Sequence, residues 1–461
     1  MSFINRPDTA SSGPAPAQGK GFFPGFRFPR IFLGWWTVLA GGLIALWGHG
    51  YNAYGISAMF KPISQELGFN RAATSVASSI GRFEGGIESP LTGWITDRWG
   101  ARYVIFTGVI FISAALLLMR FVNSLWAFYL VWGGMLGTGC NIALTLPMDV
   151  TISNWFVKKR GLAISIKWVF SGLSGVAVMP LIAWMTSIYG WRNACTVGGV
   201  VMATVGIPLA WFAIKSKRPE YYGLLPDGAR IAEEVQATRE QMLEKGVQYA
   251  SEVKEVEFTL RQAVRTVPFW VMFAVQAVHG LVTPVMTIHC IPFLTDRGID
   301  PVKAAGMMSI WVTASLPTRF IGGWIADRIK ISQLRFLTAT AYFLQTIGVV
   351  IFLKYQSIAV IYVWFLLYGF GSGLATTANP LIRARYFGRK ALGSIQGISS
   401  MLQTPVAVIA PIYAGWIYDT TGSYSRAFVQ FAVLLGIASA VALFNLPPKP
   451  PERITDVRQI V

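Results

Sequence analysis

The sequence predicts an all-α membrane protein: twelve transmembrane helices in two pseudo-symmetric six-helix bundles. Three observations carry this reading. The first is duplication. Gly93-Trp94-Ile95-Thr96-Asp97-Arg98 returns as Gly323-Trp324-Ile325-Ala326-Asp327-Arg328, 230 positions later, and His49-Gly50, Pro62 and Gly68 return as His279-Gly280, Pro292 and Gly298 at the same offset. Duplicated halves in an apolar chain suit two helical bundles rocking around a site at their interface. The second is composition: 54% hydrophobic and 13% charged, against roughly 25% charged in soluble proteins. The third is charge placement. With both termini inside, 28 of the 39 Lys and Arg fall in inner segments and 8 in outer loops, the bias that orients membrane proteins.

Apolar runs place the spans at 34–59, 72–95, 103–121, 125–152, 162–187, 194–214, 268–292, 304–326, 335–353, 358–380, 391–416 and 427–446. This organises the chain as a cytoplasmic tail (1–33), a first bundle (34–214), a cytoplasmic linker (215–266), a second bundle (267–446) and a cytoplasmic tail (447–461). The N-terminal stretch is polar and rich in Pro and Gly, which does not read as a signal peptide. The many glycines and prolines of the spans suit close helix packing and kinks. Cys140, Cys195 and Cys290 read as small packing residues. The linker mixes charges through Glu233-Glu234, Arg239-Glu240 and Lys254-Glu255, as a solvated tether would. Thr259 with Gln262 has capping-box spacing, which predicts a short interfacial helix ahead of span 7. The net charge of +18 reports topology and not nucleic acid.

Charge inside a span is costly, at least about 2.5 kcal/mol per group on insertion scales, so the few such residues are informative. They are Arg82, Glu84 and Glu88 in span 2, Asp149 in span 4, Lys167 in span 5 and Arg319 in span 8. Glu84 and Glu88, four apart, share one helix face. Either could carry a proton, through desolvation and a like-charged neighbour, or both could serve static pairing across the interface. His49 and His279 occupy equivalent places in spans 1 and 7, as groups that bond substrate or titrate, or as polar bridges between helices. Asn52, Tyr54, Asn141, Tyr368, Asn379 and Gln403 are further polar pocket candidates. No nucleotide loop, metal cluster or nucleophile with its base occurs, which disfavours an ATP-driven pump or an intramembrane enzyme. No cofactor is expected.

The tract Gly93-x-x-x-Asp97-Arg98-x-Gly100-x-Arg102, in the loop between spans 2 and 3, resembles the signature loop of the major facilitator superfamily. With the second copy and the six-plus-six layout, the resemblance covers the whole chain. It implies a gate in which Gly93 permits close helix contact and Asp97 faces a helix N-terminus, with Arg98, Arg102, Asp327 and Arg328 as gating residues. The second copy departs at Lys330, where the glycine is missing. Asp149 resembles the span-4 acid that joins the loop arginines in a charge relay, which makes Arg102 or Arg98 its expected partner; the plainer alternative is a carboxylate reaching water at the interface.

Trp155-Phe156-Val157-Lys158-Lys159-Arg160-Gly161-Leu162-Ala163 and Tyr386-Phe387-Gly388-Arg389-Lys390-Ala391-Leu392-Gly393 look like the span entries of monocarboxylate porters and oxalate:formate antiporters. Ile291-Pro292-Phe293-Leu294-Thr295-Asp296-Arg297-Gly298 resembles bacterial members of that group. The resemblance implies that Arg319, followed closely by glycine, binds a carboxylate; its planar fork suits that anion. The structural alternative is an ion pair with Glu84 or Glu88, or bonds to helix carbonyls. Where the mammalian pattern has an aspartate one turn earlier, this chain has Ser315, and span 11 has no lysine from Ile395 to Trp416, unlike oxalate antiporters. One cation suits one carboxylate. Lys167 is a possible second cation, or a lysine that snorkels to the inner loop.

The expectation is a secondary transporter working as a monomer in the cell membrane. It would move a small organic anion, foremost a monocarboxylate, with proton symport first and counter-anion exchange second. The rivals are an exporter of lipophilic cations and a sensor that binds ligand without flux.

Overall fold

The computed structural model describes residues 32–68, 71–229, 239–251, 256–295, 297–299, 301–354 and 357–450. The expectations for residues 1–31, for Glu233-Glu234 and Lys254-Glu255, for Asp296 and for 451–461 lie outside the described residues. Among those described, all regular structure is helical. Eight stretches are long and apolar enough to cross a membrane, and one of these, Arg160–Ala213, is divided at Gly190, whose φ of 80° leaves the helical region.

Among the described residues, twelve long helical segments follow in order: 33–67, Arg71–Trp99, Ala101–Phe121, Leu125–Trp155, 160–189, 191–213, Val267–Thr295, Pro301–Ala326, Leu334–Lys354, Ile358–Phe387, Leu392–Thr421 and Ser425–Leu443. They correspond to spans 1 to 12. Two run well past their hydropathy limits, span 1 to Leu67 and span 10 to Phe387, because a helix pairs its own backbone groups and need not end where the hydrocarbon does.

Small residues set how the helices meet. A Cβ on Gly108 in span 3 would stand 2.8 Å from the Gly139 carbonyl of span 4, and one on Gly137 would stand 2.6 Å from Gly81 in span 2. Backbones this close need glycine on both sides. In the first half, span 3 lies on spans 4 and 6 and span 1 on span 5; in the second, span 10 lies on spans 8 and 9 and span 12 on spans 7 and 9. The halves join along two seams, span 2 on span 11 and span 5 on span 8. The three cysteines are buried and free, packed as apolar residues.

Two local departures from α-helix shape the interior. Gly50–Gly55 is a π-helical turn within span 1, a distortion that turns side chains off the regular face. Span 4 breaks at Thr145 (φ −108°, ψ −95°) ahead of Pro147, so a new helix begins at Leu146 with Asp149 in its first turn. A carboxylate there meets the positive end of the helix dipole.

Parts of the linker on either side of the charge pairs that suggested a solvated tether pack onto the bundles. Glu220 is buried and accepts from Arg389 Nη1 at 2.9 Å, while Arg389 also donates to the Asn154 carbonyl at the end of span 4. Arg218 pairs with Glu257 at 2.9 Å. Burial pushes the Glu257 carboxyl up, but the guanidiniums of Arg218 and Arg389 outweigh that and hold it below the usual carboxylate range. Asp227, in the left-handed region at φ 60°, gathers the backbone N–H groups of Val157, Lys158 and Lys159 at 2.8–3.1 Å. These charges find one another across loops. Thr259 and Gln262 do form a reciprocal cap, starting the short helix Leu260–Val264 before span 7.

Candidate functional site

At the signature-loop end, the two seams are built alike. Asp97 accepts from Gly393 N at 3.0 Å, Ser394 N at 2.7 Å and Ser394 Oγ at 2.7 Å, capping the N-terminus of span 11. Gly93 lies so close that a Cβ would collide with the Gly393 carbonyl. In the second copy, Asp327 accepts from Gly161 N at 2.7 Å and Leu162 N at 2.8 Å, capping span 5, and a Cβ on Gly323 would collide with the Gly161 carbonyl. Arg385 reaches Asp327 at 3.5 Å. Each carboxylate thus satisfies N–H groups that helix geometry leaves without partners, and these capping bonds cross between halves. The signature-loop end is closed.

Asp97→Asn is expected to weaken this seam by about 1 kcal/mol, since the amide keeps an acceptor but loses the charge at the helix terminus. Turnover in proteoliposomes should slow while equilibrium substrate binding persists. Lost binding with intact turnover would remove Asp97 from the gate.

The arginines beside these aspartates make no bond across the seams among the described residues. Arg98 stands over the Trp94 ring and Arg328 over the Trp324 ring. Arg102 donates through Nε to the Ile214 carbonyl at 2.7 Å and stands over Trp211, within its own half.

Asp149 therefore has a different partner from the loop arginines expected. It pairs with Lys167 Nζ at 3.0 Å, the carboxylate 2% and the ammonium 0% exposed by residue, so neither reaches water at the interface and Lys167 does not snorkel. The break at Thr145 turns Asp149 inward, and span 5 presents Lys167 to it. Lys167 Nζ also sits 3.7 Å from the centroid of the Trp168 ring.

Higher along the same seam lies Arg319. Its Nη1 donates to the Trp168 carbonyl at 2.8 Å, the Tyr54 phenol lies beside it, and Gly172 leaves room for the guanidinium, which a Cβ there would meet at 2.6 Å. Its Nε is buried without a partner. Of the alternatives to carboxylate binding, the structure thus holds the helix carbonyl; among the described residues no carboxylate pairs with Arg319. His49 joins this group, its Nδ1 3.1 Å from Ser171 Oγ and 3.2 Å from the Ala45 carbonyl, with its ring 6.3 Å from Trp168. Asn52 is half-buried in the same π-helical turn as Tyr54.

Glu84 and Glu88 face span 4 of their own half and form no charge pair across the interface among the described residues. Glu84 Oε2 accepts from Thr138 at 3.1 Å, and Glu88 lies by Asn141 and Thr138 with Oε1 buried and without a partner. Asn141 is held by its Nδ2 bond to the Gly81 carbonyl at 2.8 Å. The seam toward span 11 is occupied instead by Gly86 and Ser89, packed on Thr404 and Gly397.

The remaining candidates in the second half do not gather at Arg319. His279 lies 3.4 Å from Thr283 Oγ1, with its ring 5.8 Å from Tyr342. Asn379 Oδ1 accepts from Tyr342 at 3.2 Å, Tyr368 is buried edge-on to Trp311, and Gln403 lies near Gly280. Arg383, buried in the extension of span 10, bonds Gln276 of span 7 and lies in the field of Asp149 across the interface. Sequence reasoning assigned Arg383 to a loop, because hydropathy falls at Pro380 although the helix does not end. Trp168 and Ser171 were also missed; their only signal is helical spacing from Lys167.

A family model described as Major Facilitator Superfamily matches residues 42–411. The chain belongs to this superfamily. Among curated relatives, monocarboxylate transporter 13 of Rattus norvegicus is 25% identical, the match covering 82% of this chain and 80% of that protein. Monocarboxylate transporter 12 of Xenopus laevis is 24% identical over 88% and 89%. Among solved structures, the proton:xylose symporter XylE covers 90% of this chain and 96% of its own at a TM-score of 0.68 and 12% identity. The human organic anion transporter MFSD10 covers 89% and 97% at 0.62 and 14%. These two share the fold. The chain is accordingly a multi-pass membrane transporter of the major facilitator type.

Proposed function

We propose that this transporter carries a small monocarboxylate by alternating access, with the signature loops on the cytoplasmic side of the cell membrane. The observation that carries the reading is Arg319: a permanent cation within the seam, given a carbonyl and, among the described residues, no acid. A buried guanidinium favours an anion that brings its own charge and two acceptors. Lys167 is already paired with Asp149, so it does not stand as a free second cation beside Arg319, which supports one carboxylate over two. The names of the curated relatives agree with this substrate class. Uptake of lactate-like anions into proteoliposomes, with dicarboxylates and a lipophilic dye as competitors, tests the reading. Competition by the dye alone would replace it with the lipophilic-cation exporter, and binding without flux would replace it with the sensor.

Proton symport is the coupling proposed, with counter-anion exchange as second reading. Support comes from Glu88 Oε1, buried without a donor beside Glu84. A proton removes the charge that such an oxygen cannot otherwise satisfy. Glu88→Gln, and separately Glu84→Gln, should lose pH-driven accumulation yet keep counterflow in the same vesicles. Normal accumulation in both variants would move attention to His49 and His279. A wild type indifferent to the gradient but exchanging anions would establish exchange.

A further inference from the structure

Each signature loop carries a second feature that the gate does not use. In both copies the eight positions 91–98 and 321–328 show the same sequence of exposed, buried and intermediate residues, and the exposed ones are Leu91, Trp94 and Arg98 or Ile321, Trp324 and Arg328. Trp94 is 44% and Trp324 45% exposed, with Arg98 Cζ 5.4 Å and Arg328 Cζ 3.8 Å from the respective ring centroids. The buried positions between them include Gly93 and Gly323, the glycines packed at the seams, so the exposed tryptophans and arginines lie on the other face.

Farther into the membrane, the same faces continue as apolar stripes: Phe83, Ile87 and Leu91 in span 2, Phe320 and Ile321 in span 8. Helical spacing aligns each stripe with its arginine. Asp97 and Asp327, the adjacent acids, are spent on helix N-termini, and among the described residues neither Arg98 nor Arg328 has an ion pair. Arg328 gives one bond to the Trp324 carbonyl at 3.1 Å, leaving most of its N–H groups available. Trp belongs at the headgroup level, and a guanidinium above it meets headgroup phosphate.

We infer that Trp94–Arg98 and Trp324–Arg328 form a symmetric pair of sites for anionic phospholipid, the phosphate on the arginine and an acyl chain along the stripe. The stripe commits the site to a lipid and not to a soluble phosphate, because a headless anion gains nothing from it. The sites lie directly behind the gate contacts, one residue from Asp97 and Asp327, and their occupancy does not depend on which substrate is carried.

Native mass spectrometry of the full chain, exchanged into mixed detergent with phosphatidylglycerol or phosphatidylcholine, tests this. Wild type should retain up to two phosphatidylglycerol molecules in preference to phosphatidylcholine. Arg98→Gln and Arg328→Gln should each weaken retention about fivefold at one site, the change that roughly 1 kcal/mol per basic residue brings, and the double variant should lose the preference. Trp94→Leu with Trp324→Leu, keeping both charges, should weaken it less. Folding is checked by elution as a single species. Equal retention by the double arginine variant would overturn the inference, as would an equal loss in Arg120→Gln at the opposite end, or displacement of the lipid by millimolar inorganic phosphate.

Discussion

Arg319→Lys is expected to abolish useful transport while leaving the protein folded. Lysine keeps the charge but replaces a planar fork with a point ammonium, so the bidentate geometry for a carboxylate is lost. Bonds to charged groups contribute about 1.5–3 kcal/mol each, which makes the expected fall in substrate affinity roughly tenfold to a hundredfold. The bond from Nη1 to the Trp168 carbonyl also loses its geometry, but a backbone acceptor is more easily satisfied by a neighbour or water than a substrate carboxylate is. Uptake and equilibrium binding at matched protein amounts in proteoliposomes check this. Near-normal affinity would remove Arg319 as the anion clamp and with it the main support for an anionic substrate.

Lys167→Met is expected to be the most destabilising single change in the first half. It leaves Asp149 charged, fully enclosed and without its ammonium partner at 3.0 Å. Breaking a buried pair from one side costs about 3–5 kcal/mol, whereas replacing both members by apolar or neutral groups is often close to neutral. The double variant Asp149→Asn with Lys167→Met should therefore recover most of the folded yield that the single variant loses. Thermal unfolding of purified protein for both single variants and the double measures the coupling. If the double is as unstable as Lys167→Met alone, the pair is not what holds these spans together. Because Trp168 follows Lys167 and accepts from Arg319, the recovered double variant also reveals whether the pair positions the clamp: its substrate affinity should fall if it does.

The outline of the molecule was legible because it rests on local properties. Hydropathy marks a span wherever it lies, and the repeat of Gly93 to Arg98 at Gly323 to Arg328 marks two halves whatever their contacts. The Thr259–Gln262 cap could be read for the same reason, since donor and acceptor are three residues apart. Arg383 escaped notice because a polar helix end packed against protein has no hydropathy signal. The pairing of Glu220 with Arg389 was not legible, because composition records how many charges a segment has and not which of them meet across 169 residues.

The candidate site divides along the same line. The sequence by itself determined that Arg319 is a permanent cation deep in a span and that the two acids of the signature loops are duplicated. Tertiary structure alone decided that Asp97 and Asp327 cap spans 11 and 5, that Asp149 belongs to Lys167, and that Arg319 meets a carbonyl and, among the described residues, no acid. The physical reason is rotational. Each residue along a helix turns the side chain by about a quarter turn or slightly more, so partners depend on how far helices rotate and approach. Those quantities are set at the seams, by glycines such as Gly93, Gly161, Gly323 and Gly393, and by one break at Thr145 that no periodicity announces.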